Sequence, residues 1–357
     1  MWRWSVDEIT LRVDGKKYGG WTTVSITRQL DAMAGTFNLT LTWKWPDAKS
    51  KPITEGSRCT VDIGPDRVIT GYIDDWVPSY DAKTVSIAVA GRDKTADLVD
   101  CSVVHSSGQF VNQTLAGIAN TVCKPFGIKV VVATNVGAAF PRIAIEQGET
   151  VHELLSRLAL QRGVLLTSNA MGDLVITRAS KEKCGTSLIL GENILAARGR
   201  FSWRDRFDRY IVKGTGYGGG TTWDDMPLST VGGQKATITD KEINRYRPRI
   251  IVNEDVMTAA GASKRGQWER QRAIGVSNLS EITVSGWRIP ETGKLWEPNK
   301  LVPVKDEIQG LDGEFLIKTV MYSEDDQGRL AVIGVVPPDA LDIPAIAKSM
   351  TKQGGTW

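Results

Sequence analysis

Residues 53–98 read ITEGSRCTVDIGPDRVITGYIDDWVPSYDAKTVSIAVAGRDKTADL, and residues 295–341 read LWEPNKLVPVKDEIQGLDGEFLIKTVMYSEDDQGRLAVIGVVPPDAL. Both stretches predict the same order of elements: a short alternating strand, an acidic turn with glycine, a strand with an acidic end and a last apolar strand. The matched strands are 59–63 with 301–305 and 68–75 with 314–324. Few letters are identical, so the repeat is one of pattern. Two similar β-units in one subunit form a pseudo-twofold, and a ring of three such subunits would approximate sixfold symmetry.

The chain has 357 residues, which is long enough for several domains at roughly 100–150 residues each. Its formal net charge of +3 is small for this length and argues against a dedicated nucleic-acid-binding protein, whose domains carry a concentrated basic face. No apolar run approaches the roughly 20 residues that span a bilayer. The first five residues, MWRWS, lack the apolar core of a signal peptide. We therefore expect no membrane insertion, and synthesis and folding in a reducing cytoplasm.

The cysteines fit that expectation. Cys59, Cys101, Cys123 and Cys184 are scattered, with no C-x-x-C pair and no histidine at metal-binding spacing. Cys59 occupies an alternating position in a strand and Cys123 lies near the end of a helix, where a small buried hydrophobic residue is common. We predict four free thiols.

The pattern of strands predicts a mainly β fold with α+β insertions, built on two similar antiparallel β-barrel domains plus smaller α+β domains. Six or so short strands separated by turns fill the first hundred residues, which is typical of a closed barrel or sandwich. The predicted divisions are a first barrel at 1–98, a small α+β domain at 99–197, a second, discontinuous barrel at 198–220 and 281–341, an insertion with a helix at 221–280, and a mobile C-terminal tail at 342–357.

Two helices are predicted inside the segment 99–197. The first spans 112–123, and its buried side is Leu115, Ile118, Ala119 and Val122. The second opens at Thr150 with a capping box, because Glu153 lies three residues on and can accept a bond from the Thr150 amide. Its predicted buried stripe is Val151, Leu154, Leu155, Leu158 and Ala159. A β-branched run at 128–132 and a hairpin at 164–178 complete this domain.

Acidic pairs are the first candidates for chemistry, because two carboxylates can serve glycoside hydrolysis. They are Asp74 and Asp75 and, at the matching place in the second copy, Glu324, Asp325 and Asp326. Adjacent residues of a strand point to opposite faces, so Asp74 and Asp75 cannot address one substrate without a bulge. Charged strand ends that stay solvated and discourage edge pairing explain these residues more simply.

Two further patterns also favour structural roles. Residues 214–219, GTGYGG, match G-x-G-x-x-G after a strand, but no helical stripe follows to hold a pyrophosphate, so we interpret them as a flexible connection. His105 lies in a serine-rich connection, and His152 lies at the start of a capped helix and is expected to face solvent. No serine or cysteine arrangement accompanies them. The sequence therefore predicts no catalytic residue, no cofactor site and no metal site.

A basic cluster surrounds a helix predicted at about 256–274. Its members are Lys264, Arg265, Arg270, Arg272, Arg245, Arg247 and Arg249. Trp268 and Tyr246 lie among these charges, as in proteins that stack nucleic-acid bases. A solvated or subunit-facing surface, with arginine stems covering apolar area, is the favoured interpretation.

Tryptophan is abundant, with 12 residues in the chain. Because tryptophan is enriched at the centres of interfaces, some of these residues are candidates for subunit contacts, with barrel core as the equal alternative. The candidates are Trp2, Trp4, Trp43, Trp45 and Trp296.

Several short stretches resemble baseplate hub proteins of contractile-tail phages. They are VDG at 13–15, YGGW at 18–21, ITRQLD at 26–31, AGTF at 34–37, GYIDD at 71–75, GRDKTADLVDC at 91–101 and GET at 148–150. The resemblance extends over nearly the whole chain, except for 221–280, and its individual motifs are short and structural. Related proteins form the needle base of type VI secretion systems.

The resemblance implies a structural virion protein of the tail baseplate, assembled in the bacterial host cytoplasm, and not an enzyme. Three copies would form a homotrimer whose two related barrels per subunit make a pseudo-sixfold ring. Its partners would be the tail tube protein and the central spike protein. DNA would pass through the channel transiently, without specific binding.

DNA that passes through a hub must not stick to its wall, and several neutralised phosphates would give appreciable affinity at physiological salt. We therefore expect a channel lined by neutral or acidic side chains, with the acidic residues at 74–75 and 324–326 as candidates. The basic helix at 264–272 should face another protein or solvent. The rival class is a carbohydrate-binding or cell-wall-hydrolysing tail protein, which would need a carboxylate pair at the proper separation or a row of exposed aromatic residues.

Overall fold

The computed structural model describes residues 7–44, 53–215, 231–256 and 259–341. The chain divides into two compact units. The first unit takes in nearly all residues up to Arg200 together with Leu279–Pro338, and the second is built on Phe201–Asn278. Trp2, Trp4, Trp45 and the predicted mobile tail at 342–357 lie outside the described residues. No helix among the described residues is long and apolar enough to cross a membrane.

The first unit begins with seven strands. They are β1 (Ile9–Val13), β2 (Lys16–Tyr18), β3 (Thr23–Gln29), β4 (Thr36–Lys44), β5 (Arg58–Ile63), β6 (Asp66–Tyr80) and β7 (Thr84–Asp93). The β1–β2 hairpin turns at Asp14 and Gly15, whose φ angles are 49° and 78°. Such positive angles at both turn positions suit the twist of a two-residue hairpin, and Asp-Gly adopts them readily.

The α+β part that follows is also close to prediction. Its elements are α1 (Ala96–Asp100), β8 (Gln109–Gln113), α2 (Leu115–Cys123), β9 (Val130–Val132), β10 (Phe140–Ala144), α3 (Val151–Arg162), β11 (Leu165–Ser168) and β12 (Leu174–Thr177). The amide of Thr150 donates to Glu153 Oε2 over 2.7 Å, and the amide of Glu153 donates to Thr150 Oγ1 over 3.1 Å. The capping box before α3 is confirmed, as is the predicted buried stripe of this helix.

Helix α2 starts three residues later than predicted. Residues 112 and 113 belong to β8, and the Thr114 side chain accepts a hydrogen bond from the Gly117 amide and so caps the helix. The predicted buried residues of α2 are confirmed, and they join those of α3 in one hydrophobic core.

The buried carboxylate of Asp93 ties this α+β part to the end of β7. It accepts hydrogen bonds from the amides of Gly35 and Thr95, at 2.6 and 2.9 Å, and from the hydroxyl of Ser168 in β11. Burial raises the pKa of Asp93, and these hydrogen bonds oppose the rise. Several donors therefore converge on one buried acid, as a buried charge requires.

Two short strands, β13 (Leu188–Ile189) and β14 (Ala196–Phe201), precede the second unit. The second unit contains β15 (Arg209–Thr215), β16 (Val231–Thr239), β17 (Pro248–Val256) and α4 (Ala259–Ser277). In its sheet β15 pairs antiparallel with β16 and parallel with β17, and α4 contacts β15 and β16. The prediction that 198–220 belongs to a second barrel is therefore wrong for β15. An alternating strand does not reveal its partner, and here the partners lie inside the insertion.

The chain then returns to the first unit with β18 (Asn278–Ser285), β19 (Leu301–Asp306), β20 (Leu311–Asp325) and β21 (Gly328–Val336). These strands repeat the order of the first copy. Neighbouring strands run β3-β4-β7-β6-β5-β1 in the first copy and β14-β18-β21-β20-β19-β13 in the second. The central strands β6 and β20 both have 15 residues. The repeated order of elements is therefore present in the structure, and it includes β14 and β18 on either side of the insertion.

Both central strands carry a β-bulge at the same place. The register of β6 against β7 shifts between Ile73 and Asp75, and that of β20 against β21 shifts between Ile317 and Thr319. Just before each bulge, the amide of Ile73 donates to the carbonyl of Ser57 and that of Ile317 donates to the carbonyl of Lys300. These matches fix which residues of the two copies are equivalent: Asp74 corresponds to Lys318.

The two copies do not form separate closed barrels. Strand β3 pairs antiparallel with β20 from Val24 to Gln29, so both copies lie in a 13-stranded sheet and share one hydrophobic core. Among the described residues no sheet closes on itself. The prediction of two separate barrels is wrong in this respect, because alternation shows which face of a strand is buried and not which strand lies beside it.

Candidate assembly surface

The bulge in β6 brings Asp74 and Asp75 to one side of the sheet. Both line a shallow groove with Ser25, Asn38 and Arg92. This is the exception that the sequence analysis allowed for, because a bulge inserts one extra residue and re-aims a side chain. Nothing in the hydrophobic pattern at 68–75 marks this bulge.

Arg92 binds two carboxylates at this groove. Its Nε donates to Asp74 Oδ2 and its Nη2 donates to Asp100 Oδ2, both over 2.7 Å. The bonds to Asp100 and Asp74 raise the pKa of Arg92, and the bond from Arg92 lowers the pKa of Asp100. The Nη2 of Arg92 also lies 3.4 Å from the other carboxylate oxygen of Asp74, so Asp74 belongs to a structural ion pair.

The acidic residues of the second copy occupy a different place. Glu324 accepts a hydrogen bond from Arg329 over 3.1 Å at the end of β20, and Asp325 accepts one from the amide of Gln327 in the hairpin turn. By the bulge alignment, Glu324 corresponds to Tyr80 and not to Asp74. The predicted match between residues 74–75 and residues 324–326 is therefore wrong by six positions, because it aligned two acidic clusters on long strands by composition alone.

The hairpin turn after β6, in the first copy, also contains an acidic residue. The Asp81 carboxylate accepts hydrogen bonds from the amides of Lys83 and Thr84, at 2.7 and 2.9 Å, and these bonds lower the pKa of Asp81. The turns after β6 and β20 therefore both carry carboxylates that accept backbone hydrogen bonds, and sequence reasoning missed the first of them.

Most of the cations of the basic cluster in the second unit form ion pairs or cation–π contacts. Arg265 donates to Glu269 over 2.6 Å and lies over the ring of Trp268, as does Arg272. Arg247 and Arg249 lie over the ring of Phe207, at 5.5 and 5.3 Å from its centroid. Cation–π contacts of this length hold the side chains close to the surface. The arrangement supports the structural interpretation of this cluster.

A buried ion cluster fixes the loop before β15. Arg206 is 1% exposed and donates to Asp240 Oδ2 over 2.8 Å and to Glu242 over 2.7 Å. Arg270 of α4 lies 3.8 Å from the other oxygen of Asp240. Arg270 therefore helps to balance a buried carboxylate, a role that its place in a basic stretch did not reveal.

The remaining predicted residues lie apart from one another. His105 contacts the ring of Phe110 and the hydroxyl of Ser107, while His152 is partly buried, which lowers its pKa. Gly214 and Thr215 end β15, and residues 216–219 of the glycine-rich stretch lie outside the described residues. The described residues hold no group of three acidic, histidine or cysteine side chains that suits a metal ion. The four cysteines are free thiols, as predicted.

Tryptophan does not form an exposed platform in the part of the chain that the structure describes. Trp287 and Trp296 are 1% and 2% exposed, and both belong to the large core. The candidate role of Trp296 at a subunit interface is therefore wrong. Among the tryptophan side chains that are described, only Trp203 is exposed, so these residues contain no row of exposed tryptophans.

A basic cleft on the first unit was not anticipated. It is lined by Arg12, Arg58, Arg67 and Lys94 among others. Asp62 accepts hydrogen bonds from both Arg12 and Arg67, and Lys94 lies 3.6 Å from Asp173. The sequence gives no signal for this cleft, because its residues are spread over three strands and the connections between elements.

Comparison with known proteins adds to this geometry. Three family profiles match: "Mu phage baseplate assembly protein GpP-like, N-terminal" over residues 8–93, "Baseplate hub protein gp44-like, second domain" over 95–178, and "Mu phage baseplate assembly protein GpP, fourth domain" over 258–344. The chain is 37% identical to baseplate hub protein gp44 of Escherichia phage Mu, over 97% of this chain and 92% of the relative.

Solved structures agree. The 43 kDa tail protein of prophage MuSo2 from Shewanella oneidensis is 62% identical, with a TM-score of 0.86 over 95% of this chain and all of the other. A component of the type VI secretion system of E. coli has a TM-score of 0.59 at 13% identity, over 92% of this chain and 76% of the other. At that identity the likeness shows the fold alone.

Proposed function

Because this chain belongs to the family of phage Mu baseplate hub proteins, a structural and not an enzymatic component of the virion tail baseplate, we propose that three copies form a pseudo-sixfold hub ring. The ring joins the tail tube to the central spike of a contractile tail. DNA passes through its channel without specific binding. Assembly takes place in the host cytoplasm, before the virion is complete.

The observation that supports the ring is the internal duplication. Two copies of one strand order stand side by side in a continuous sheet, joined head to tail by the pairing of β3 with β20. Head-to-tail contacts produce a ring when the rotation between units closes. Six such units, supplied as pairs by three chains, match both a sixfold tube and a threefold spike.

The partners are proposed on narrower grounds. The relative from phage Mu is named a baseplate hub protein, and the family resemblance implies that such a hub joins the tail tube to the spike. Passage of DNA requires a wall that does not hold phosphates. The groove in which Arg92 is bound by two carboxylates, and the acidic turns after β6 and β20, suit such a wall.

Native mass spectrometry and sedimentation velocity test the ring directly. We expect a species of three chains at micromolar concentration, and negative-stain images with a central opening. Stable closed rings need interfaces of at least about 1,000 Å². A protein that stays monomeric up to the highest soluble concentration, and remains so when the purified spike protein is added, would contradict the proposal.

A further inference from the structure

Strand β14 ends the 13-stranded sheet, and all of its residues are exposed. Its equivalent in the first copy is β3. The carbonyl of Thr40 accepts the amide of Thr22, and the carbonyl of Thr283 accepts the amide of Leu195. Thr40 lies in β4 and Thr283 lies in β18. Relative to the β-bulge of its own copy, each of them occupies the same position in the strand pairing. Thr27 of β3 therefore corresponds to Arg200 of β14.

The two equivalent strands differ in one respect. Strand β3 pairs with β4 on one edge and with the part of β20 beyond its bulge on the other. Strand β14 has β18 on one edge, and no strand among the described residues lies on the other. The first copy thus uses an edge that the second copy leaves available.

The complementary edge belongs to β6. Strand β5 pairs with β6 only as far as Tyr72, before the bulge. Beyond the bulge, β7 lies on one side, and the exposed stretch Val77, Pro78 and Ser79 corresponds to Met321, Tyr322 and Ser323 of β20. Those residues of β20 are the ones that pair with β3.

We propose that β14 of one copy pairs antiparallel with β6 of the next copy, with Val77 opposite Arg200, in the register that β20 and β3 use within the chain. The inference rests on the ring proposed above and names the surface that closes it. In that register Pro78 lies opposite Gly199 and Ser79 lies opposite Arg198, as Tyr322 and Ser323 lie opposite Ile26 and Ser25.

The side chains suit this pairing. Arg198 and Arg200 project from one face of β14, and Asp75 projects from the same face of β6, diagonal to Arg200 in the proposed register. Opposite charges at cross-strand positions favour pairing. Among the described residues, no strand pairs with the outer edge of β14 or with that edge of β6 beyond its bulge, and soluble proteins rarely leave such edges uncovered.

Pro78 fits an edge position. The amide of Asp81 donates to Thr84 in β7, so by alternation the backbone of Val77 and Ser79 faces β7, and that of Pro78 faces the open edge. The missing N–H of Pro78 faces away from β7, as the existing pairing requires, but it faces β14 in the pairing proposed here. The pairing proposed here therefore contains one bond fewer than the internal pairing at Tyr322.

Disulfide trapping tests the register. In a Cys101→Ser background, chains carrying Val77→Cys are mixed with chains carrying Arg200→Cys and oxidised with copper–phenanthroline. Val77 and Arg200 form a non-hydrogen-bonded pair, with Cα atoms about 4.5 Å apart, which lies within the range that a disulfide spans. We expect a cross-linked species of two chains on a non-reducing gel.

Two controls bracket this result. Mixing Val77→Cys with Gly199→Cys chains should give about tenfold less product, because a shift of one residue places the second thiol on the other face. The double variant Thr27→Cys, Met321→Cys places thiols at the equivalent pair inside one chain. It should form an intrachain disulfide under the same conditions.

The doubly substituted chain Val77→Cys, Arg200→Cys shows whether the pairing closes a ring. Its oxidised ladder should stop at three chains if the pairing closes a ring, and a ladder that runs on would support the pairing and contradict the trimer. Trimers by native mass without excess cross-linking over the Gly199→Cys control would overturn the pairing and leave the hub ring standing. Monomers with no cross-link at any concentration would overturn both.

Discussion

Cys59 and Cys123 lie in the two large cores of the first unit, whereas Cys101 is exposed. Burial raises the pKa of Cys59 and of Cys123 to about 12. Since the thiolate is the nucleophile, we expect iodoacetamide at pH 8 to label Cys101 first and Cys184 slowly. Cys59 and Cys123 should react only after unfolding in guanidinium. Peptide mass spectrometry over time measures this order, and early labelling of Cys59 would show that the core around it opens.

Thr150 contributes to stability through a single cap. Its hydroxyl accepts the amide of Glu153, so Thr150→Ala leaves a helix-end donor unsatisfied and should lower the free energy of unfolding by about 1 kcal/mol. Urea unfolding followed by circular dichroism measures the change. Thr121→Ala is the matched control, because the Thr121 hydroxyl only donates to a carbonyl inside α2 and its loss should be nearly neutral.

At the scale of elements, the contact between β6 and β7 allows no side chain at Gly71. A Cβ atom there would lie 1.9 Å from the carbonyl oxygen of Arg92, which is backbone and cannot move aside. Gly71→Ala should therefore separate the strands and cost about 1–3 kcal/mol of unfolding free energy. Thermal unfolding monitored by circular dichroism checks this.

Gly117→Ala is the control with the opposite sign. Its added Cβ would meet the end of the Gln113 side chain at 3.1 Å and the Thr114 hydroxyl at 3.4 Å, and no backbone atom. Alanine is the better helix former by roughly 0.5–1 kcal/mol, so the melting temperature should rise. If both substitutions lowered stability equally, the contact with the β7 backbone would not be the reason why position 71 requires glycine.

Elements whose signals are local could be predicted from the sequence. The capping box and the buried stripe of α3 involve residues within three or four positions of each other, and the repeated order of strands follows from alternation and turns. The pairing of β3 with β20 could not be predicted, since its residues lie about 300 positions apart. Hydrogen bonding across such a distance leaves no periodic trace in one sequence.

The candidate surface shows the same division. Asp74 and Asp75 were identified as a charged strand end, but the bulge that turns both to one groove depends on the register against β7. The bond from Arg92 to Asp100 was not visible either, because it needs the turn between β7 and α1. Local chemistry identified the residues, and tertiary pairing decided what they contact.

For the whole molecule, we expect no affinity for duplex DNA in a gel-shift titration at about 150 mM salt. The variant Arg245→Ala, Arg272→Ala removes two exposed cations of the basic cluster. Arg270 is left in place because it faces the buried carboxylate of Asp240, and removing it would confuse binding with folding. Tight, salt-dependent binding by the unsubstituted protein that this variant abolishes would make the basic cluster a DNA contact.

The second unit enters the chain between β14 and β18, two neighbouring strands of the large sheet. A hairpin at that point needs only about two to five residues. The sheet therefore holds both ends of the inserted unit within about 5 Å of each other, and the unit has a hydrophobic core of its own. Such a junction is a natural site for exchange: recombination between phages can replace the inserted unit with a different one, and the strand order beneath it stays the same.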